Sequence, residues 1–190
     1  MGAAGAAQAV EVTRFSANGS SATLNSFDPV TGTAYDMAVF KNDQGSTSTT
    51  NFFFNTQSCD ATTCRGKFGF GTIPNGDFTG GPGAGKLNTN LATNASYQVF
   101  NYFQDFANNI FTQTPTTGGI VTINWTIIPR QSSSSTGVST FVSGGFSNRV
   151  SGESSSNRAT ATGTFFGVAL PAGGSNLLGT TKQSQMIISR

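Results

Sequence analysis

Gly119-Ile120-Val121-Thr122-Ile123-Asn124-Trp125-Thr126-Ile127-Ile128 is the stretch that decides the fold class. Val121, Ile123, Trp125 and Ile127 recur at every second position, with Thr122, Asn124 and Thr126 between them. Successive side chains of a strand point to opposite faces, so a period of two builds one apolar and one polar face, whereas an amphipathic helix repeats at about 3.6. The stretch reads as a half-buried strand with Trp125 in the core.

Working outward, strands are expected at 10–16, 21–27, 33–40, 50–58, 65–71, 86–91, 96–104, 138–143, 159–168 and 183–189. Asn18-Gly19 separates the first two, and because both residues tolerate positive φ it predicts a tight hairpin. Turn residues punctuate the rest, at Asp28-Pro29, at 42–45, at 74–77, at Asn108-Asn109, and at the glycine pairs 144–145 and 173–174. The Gly-rich 79–85 and Ser-rich 131–137 are expected as loops, and 104–111 has room for one helical turn. Short strands at this spacing predict an all-β fold, an antiparallel β-sandwich with jelly-roll-like or Ig-like two-sheet packing and little or no helix. Residues 1–9 read as a flexible tail, a signal remnant or an expression scar, and 10–190 as a single domain.

Charge then limits the partners. Only 9% of the 190 residues are charged and the net charge is +2, against roughly 25% charged residues in an average globular chain. The surface must therefore be built from Ser, Thr, Asn, Gln and Gly, while 17 Phe supply an aromatic core. Ten basic residues are scattered, with only Arg65 and Lys67 close together, so the basic stripe that phosphate binding needs is missing and no nucleic-acid partner is expected. No apolar run approaches the length of a membrane span.

The absence of His removes every Ser-His-Asp and Cys-His arrangement and the common zinc sites. Carboxylate pairs of the glycosidase kind survive as a possibility, and Asp36 and Asp105 are the candidates because aromatic and apolar neighbours surround them. The other acids sit mostly in turns, where carboxylates bond their own backbone. Gly80 to Leu87 lacks the hydroxyl that a phosphate-binding loop places on magnesium, and the Asn42, Asp43, Asn75 and Asp77 turns lack calcium-loop spacing. Asn18, Asn94 and Asn124 begin glycosylation sequons. The expectation is no catalytic residue, no metal and no cofactor.

Cys59 and Cys64 enclose four residues, which suits neither a zinc site nor a thioredoxin-like pair and predicts a small structural disulfide. Such a bond belongs to an oxidising compartment, so the chain is expected to be secreted or at a cell surface. Phe52, Phe54, Tyr97 and Tyr102 are the candidate aromatic binding face, and strand alternation places Phe52 and Phe54 on a face that Phe53 does not share. If both faces are buried, these rings are core.

These features point to a non-catalytic recognition or adhesion module for a neutral polysaccharide or a protein partner. The alternatives are a self-assembling structural subunit of a fibre, sheath or coat, and a secreted carboxylate-dependent glycan-active enzyme. For assembly, the expected connectors are the termini, above all the apolar strand at 183–189, which must be paired in its own sheet or offered to a neighbour.

Overall fold

Among the described residues the chain forms twelve strands, and the alternation seen at Trp125 recurs in those that bury one face. The computed structural model describes residues 11–44, 46–73, 77–80, 84–91, 97–143 and 146–189. The strands are β1 (Glu11–Asp28), β2 (Thr33–Gln44), β3 (Thr47–Cys59), β4 (Thr63–Thr72), β5 (Asp77–Gly80), β6 (Ala84–Asn90), β7 (Tyr97–Asp105), β8 (Ile110–Thr116), β9 (Ile120–Ser143), β10 (Phe146–Phe165), β11 (Val168–Ala169) and β12 (Asn176–Ser189). No α-helix occurs among the described residues, and no helix is long and apolar enough to cross a membrane.

Hydrogen bonding joins all twelve into one antiparallel sheet, in the order β5-β6-β9-β10-β12-β1-β2-β3-β4-β7-β8 with β11 beside β10. The sheet nevertheless curls over, so that strands far apart in its order meet across a core. Phe54 on β3 and Phe165 on β10 are four ladders apart, roughly 19 Å in a flat sheet, yet their ring centroids lie 5.3 Å apart. Tyr35 on β2 meets Phe165 edge-on at 6.2 Å, and the Trp125 Nε1 on β9 donates to the Thr23 carbonyl on β1 at 3.1 Å. The core lies inside this coil. It gathers Ala22, Leu24, Tyr35, Met37, Val39, Phe52, Phe54, Phe78, Leu87, Tyr97, Val99, Val121, Ile123, Trp125, Phe165 and Leu178, among others, so the alternation at 121–125 places its apolar face as the sequence predicts.

Beyond the core the four longest strands continue as a ribbon. Residues 132–143 of β9, 146–157 of β10, 179–189 of β12 and the first half of β1 lie side by side in register. None of their described side chains belongs to the core cluster. Backbone ladders hold the ribbon, helped by hydroxyl pairs across strands: Ser135 with Ser154 at 2.7 Å, Ser151 with Ser184 at 2.6 Å and Ser155 with Thr180 at 2.8 Å. A bulge marks the transition, since Asn157 faces Ser132 while Ala159 faces Ile127, and within the excess residues Arg130 takes a φ of 67°.

The Asn18-Gly19 hairpin does not form; both residues lie inside β1, where Asn18 faces Lys182 on one side and Asp43 on the other. Gly19 is needed for close approach instead of a turn, because the Thr181 hydroxyl occupies the place a Cβ would take. The 131–137 loop is part of β9, since its hydroxyls find partners on β10. Residues 106–109 form a turn rather than a helical one, with the Asn108 N–H and Nδ2 both donating to Asp105 at the end of β7. The strand at 183–189 is interior, paired with β1 and with β10, so it has no open edge to offer. Of the expected 79–85 loop, residues 79–80 end β5 and 84–85 start β6, while the 81–83 segment, the 1–9 tail and the glycine pair at 144–145 lie outside the described residues. Two short strands, β5 and β8, lack the apolar alternation that would have announced them.

Candidate functional site

Register decides which aromatics reach solvent. Met37 is buried and faces Phe54, which faces Gly69, so Phe52 and Phe54 point inward with the core alternation of β2. Their rings and that of Tyr97 form one buried cluster, with centroid separations of 5.4 Å for Phe52 to Tyr97 and 6.1 Å for Phe54 to Tyr97. Gly69 leaves the space these rings fill. Phe52, Phe54 and Tyr97 are therefore core, and they do not form an exposed face. Tyr102 cannot join them, because it lies five positions beyond Tyr97 on the same strand, and an odd step puts it on the opposite face.

Tyr102 belongs instead to an aromatic strip on the outer face of β4, β7 and β8. Phe68 faces Phe100 across the β4–β7 ladder, and the two rings stack at 5.2 Å with an interplanar angle of 20°. Tyr102 lies 6.0 Å from Phe68 and stacks on Phe111 of β8 at 6.2 Å. Gly66, directly opposite Tyr102, has no side chain to displace that ring; a Cβ there would press on Tyr102 Cε1 and on the Thr56 carbonyl. Phe53 and Phe70, paired with each other one row away, are 47% and 48% exposed, and Phe111 is 57% exposed.

Polar side chains continue the strip toward β1. The cross-strand row that contains Phe68 and Phe100 runs on through Asn55, Asp36 and Asn25. Asn25 Nδ2 donates to Asp36 Oδ1 at 2.8 Å, Asn55 Nδ2 to Gln57 Oε1 at 3.4 Å, and Gln57 Nε2 to the Cys59 Sγ at 2.9 Å. Asn55 is also within hydrogen-bonding reach of the Tyr102 hydroxyl. Partial burial pushes the Tyr102 hydroxyl pKa up, with Asp36 adding to the shift and Asn55 opposing it. Partial burial likewise raises the Asp36 carboxyl above its ordinary value. Rings flanked by amides thus form an open, nearly uncharged surface.

The Cys59–Cys64 disulfide closes the β3–β4 hairpin at one end of this surface, joining directly opposed residues 4.1 Å apart at Cα. Asp60 organises the enclosed turn by accepting from the Thr62 and Thr63 N–H groups at 2.8 and 2.7 Å, and these bonds hold its carboxyl down at about 2.

Asp36 and Asp105 do not meet. Asp36 shares a row with Phe100, and Asp105 lies five residues further along β7; ladder spacings put them roughly 20 Å apart. Asp105 comes closer to Asp60, but each is held ionised by its own turn, Asp105 through Asn108, so neither is suited to acid catalysis. Among the described residues no three His, Cys, Asp or Glu side chains converge as a metal site would require. Asp43 pairs with Lys41 at 3.8 Å, and Asn75 lies outside the described residues. The phosphate-loop likeness fails because Ala84–Asn90 is a strand and presents no helix N-terminus. A hollow on the ribbon is lined by Ser133, Ser135, Ser154, Ser156 and Thr181, among other residues, with no acid, base or thiol among them.

Phe68 and Phe111 escape the sequence reading, and the signal that finds them is pairing parity. Once Tyr35, Met37 and Val39 are taken as the core face of β2, every residue in register with Asp36 and Ala38 must face outward. No protein-family model, curated protein or solved structure matches the chain.

Proposed function

We propose that the chain is a secreted or surface-exposed, non-catalytic recognition module whose outer face on β3, β4, β7 and β8 binds a neutral glycan. The observation that carries this reading is the strip of Phe100, Phe68, Tyr102 and Phe111 rings bordered by the Asn55 and Gln57 amides. A pyranose has an apolar C–H face that packs on a ring and equatorial hydroxyls that both donate and accept. Amides, which also do both, are the matching partners. The low charge suits a ligand that brings none. In this reading the coiled sheet serves as a sandwich, with one layer presenting the rings and the other supporting them through the Phe54 to Phe165 contact. The disulfide fits an oxidising compartment.

The test is a neutral-glycan array followed by calorimetry on the best ligand, for the wild-type protein and for Tyr102→Ala and Phe68→Ala. Each half-buried ring should contribute roughly 1 kcal/mol or more of binding, so each variant should weaken affinity at least about fivefold. Undiminished binding in both variants, or no binding to any neutral glycan, refutes the assignment. A self-assembling structural subunit is the second reading, and the long unpaired edge of β9 favours it.

A further inference from the structure

We propose that the open edge of β9 over residues 132–143 pairs antiparallel with the same edge of a second copy of this chain, making a two-fold dimer with a continuous sheet. Strand β9 is covered on one side by β10 over residues 121–127 and 132–143. On its other side β6 reaches only Ile120 to Thr126, and no other described strand pairs with it. In an antiparallel ladder alternate residues direct both backbone groups to the same side. Half of the residues from 132 to 143 therefore point an N–H and a C=O away from the molecule.

The other edges carry the usual protection. Strand β5 has four residues, and β8 has seven with Pro115 among them. The part of β1 that lies beyond its pairing with β2 carries Glu11 and Arg14. Short length, proline and charge are the devices that keep edges from pairing. Residues 132–143 have none of them: they contain no charge and no proline, and the bulge and Arg130 lie at the root of the segment. Val138, Phe141 and Val142 are 62%, 63% and 70% exposed along this same edge.

A second copy of the chain is the occupant that fits. Antiparallel pairing of two identical edges requires a two-fold axis perpendicular to the sheet, which keeps each face on its own side. With the axis at Val138, that residue faces its own copy, Thr136 faces Thr140 and Ser134 faces Val142. All of these pairs are uncharged, and the two Arg130 side chains fall at opposite ends, roughly 50 Å apart, well beyond the reach of screened repulsion. About ten backbone hydrogen bonds form, together with apolar contact between the two Val138 side chains.

Sedimentation velocity of the full chain at micromolar concentration should show a dimer, equally in low and high salt. Val138→Lys sets two lysines against each other at the axis and should weaken association at least about tenfold, with partial recovery in high salt and an unchanged far-ultraviolet circular dichroism spectrum. Thr112→Lys on the β8 edge should leave the dimer intact. Val138→Cys should oxidise to a covalent dimer, whereas Ser139→Cys, off the axis, should not. A chain that is monomeric throughout overturns the proposal. So does a dimer that survives Val138→Lys, or one lost only with Thr112→Lys.

Discussion

Replacing Trp125 with Phe tests whether the single sheet is held closed across its core. The side chain is 1% exposed, and its Nε1 donates at 3.1 Å to the Thr23 carbonyl of β1, with β10 and β12 standing between the two strands in sheet order. Phe has no donor, so the Thr23 carbonyl loses that partner at a cost of about 1 kcal/mol, more if no water replaces it. The lost part of the indole leaves a void that removes roughly another 1 to 2 kcal/mol. The edge-on contact with Phe78, at 6.2 Å and 82°, can be kept by the smaller ring. The expected loss is therefore about 2 to 3 kcal/mol, out of the 5 to 15 kcal/mol typical of a domain, so the variant should still fold. Trp125→Ala should lose about 4 to 5 kcal/mol. Urea unfolding followed by circular dichroism measures both, with an unchanged denaturant slope confirming that the same surface is exposed. A loss below about 0.5 kcal/mol for Trp125→Phe would show that closure does not depend on this bond.

The Cys59–Cys64 ring encloses only four residues, so loop-closure entropy assigns it about 2 kcal/mol, and Asp60 holds the same turn independently. Reduction should lower the melting temperature by several degrees without unfolding the protein at room temperature, and two reactive thiols in the untreated protein would contradict the disulfide. The acid response should come from Asp28, Asp60 and Asp105, whose turn hydrogen bonds depress their carboxyl pKa values in the folded state. A depressed folded value means stability that is fully present above the unfolded value near 4 and is lost as pH falls through the folded one, about 2 for Asp60. Melting temperature should thus be flat from about pH 8 to 5.5 and fall below about pH 4, and Asp60→Asn should shallow that fall. Asp36 has the opposite sign, since burial raises its folded pKa and its ionised form destabilises the fold above that value. Asp36→Asn should accordingly leave stability unchanged or higher at pH 7, measured by the same melts, and a clear loss there would refute the sign.

Strand content was legible wherever one face is buried. The alternation at Val121, Ile123 and Trp125 located the core face of β9, because burying one side of a strand forces a period of two on its composition. The same rule has nothing to act on in 131–137, where neither face is buried and Ser-rich composition looks like a loop. Those residues are a strand through cross-strand hydroxyl pairs and ladder bonds, which depend on partners far away in sequence. Asn18-Gly19 failed for a related reason: local turn preference is worth little against two full ladders, and only tertiary structure shows that Gly19 has Thr181 packed against it. The candidate binding face was half legible. Tyr102 was singled out, but choosing between Phe52 with Phe54 and the opposite set of Phe53, Phe68 and Phe100 requires the β2–β3–β4–β7 register, which no single segment encodes.

The two proposed surfaces occupy opposite parts of the sheet order, and this separation has a functional consequence. The aromatic strip lies on β4, β7 and β8, toward one end of the order, while the open edge belongs to β9, near the other, with β10, β12, β1, β2 and β3 between them. Pairing two copies through residues 132–143 would leave both strips uncovered. Because the two-fold axis is perpendicular to the ribbon, it keeps corresponding faces on the same side of the joined sheet. Such a dimer is bivalent toward a polymer that repeats the same sugar unit. Linked sites raise avidity by about 10²- to 10⁴-fold over a single site without any new contact, so rings that each contribute only about 1 kcal/mol would suffice for firm attachment to a polysaccharide while binding a free oligosaccharide weakly. Val138→Lys separates the two terms, because it should reduce retention on the polymer to the level of one site and leave oligosaccharide affinity unchanged. Equal loss on both ligands would mean that the edge and the aromatic strip are not independent.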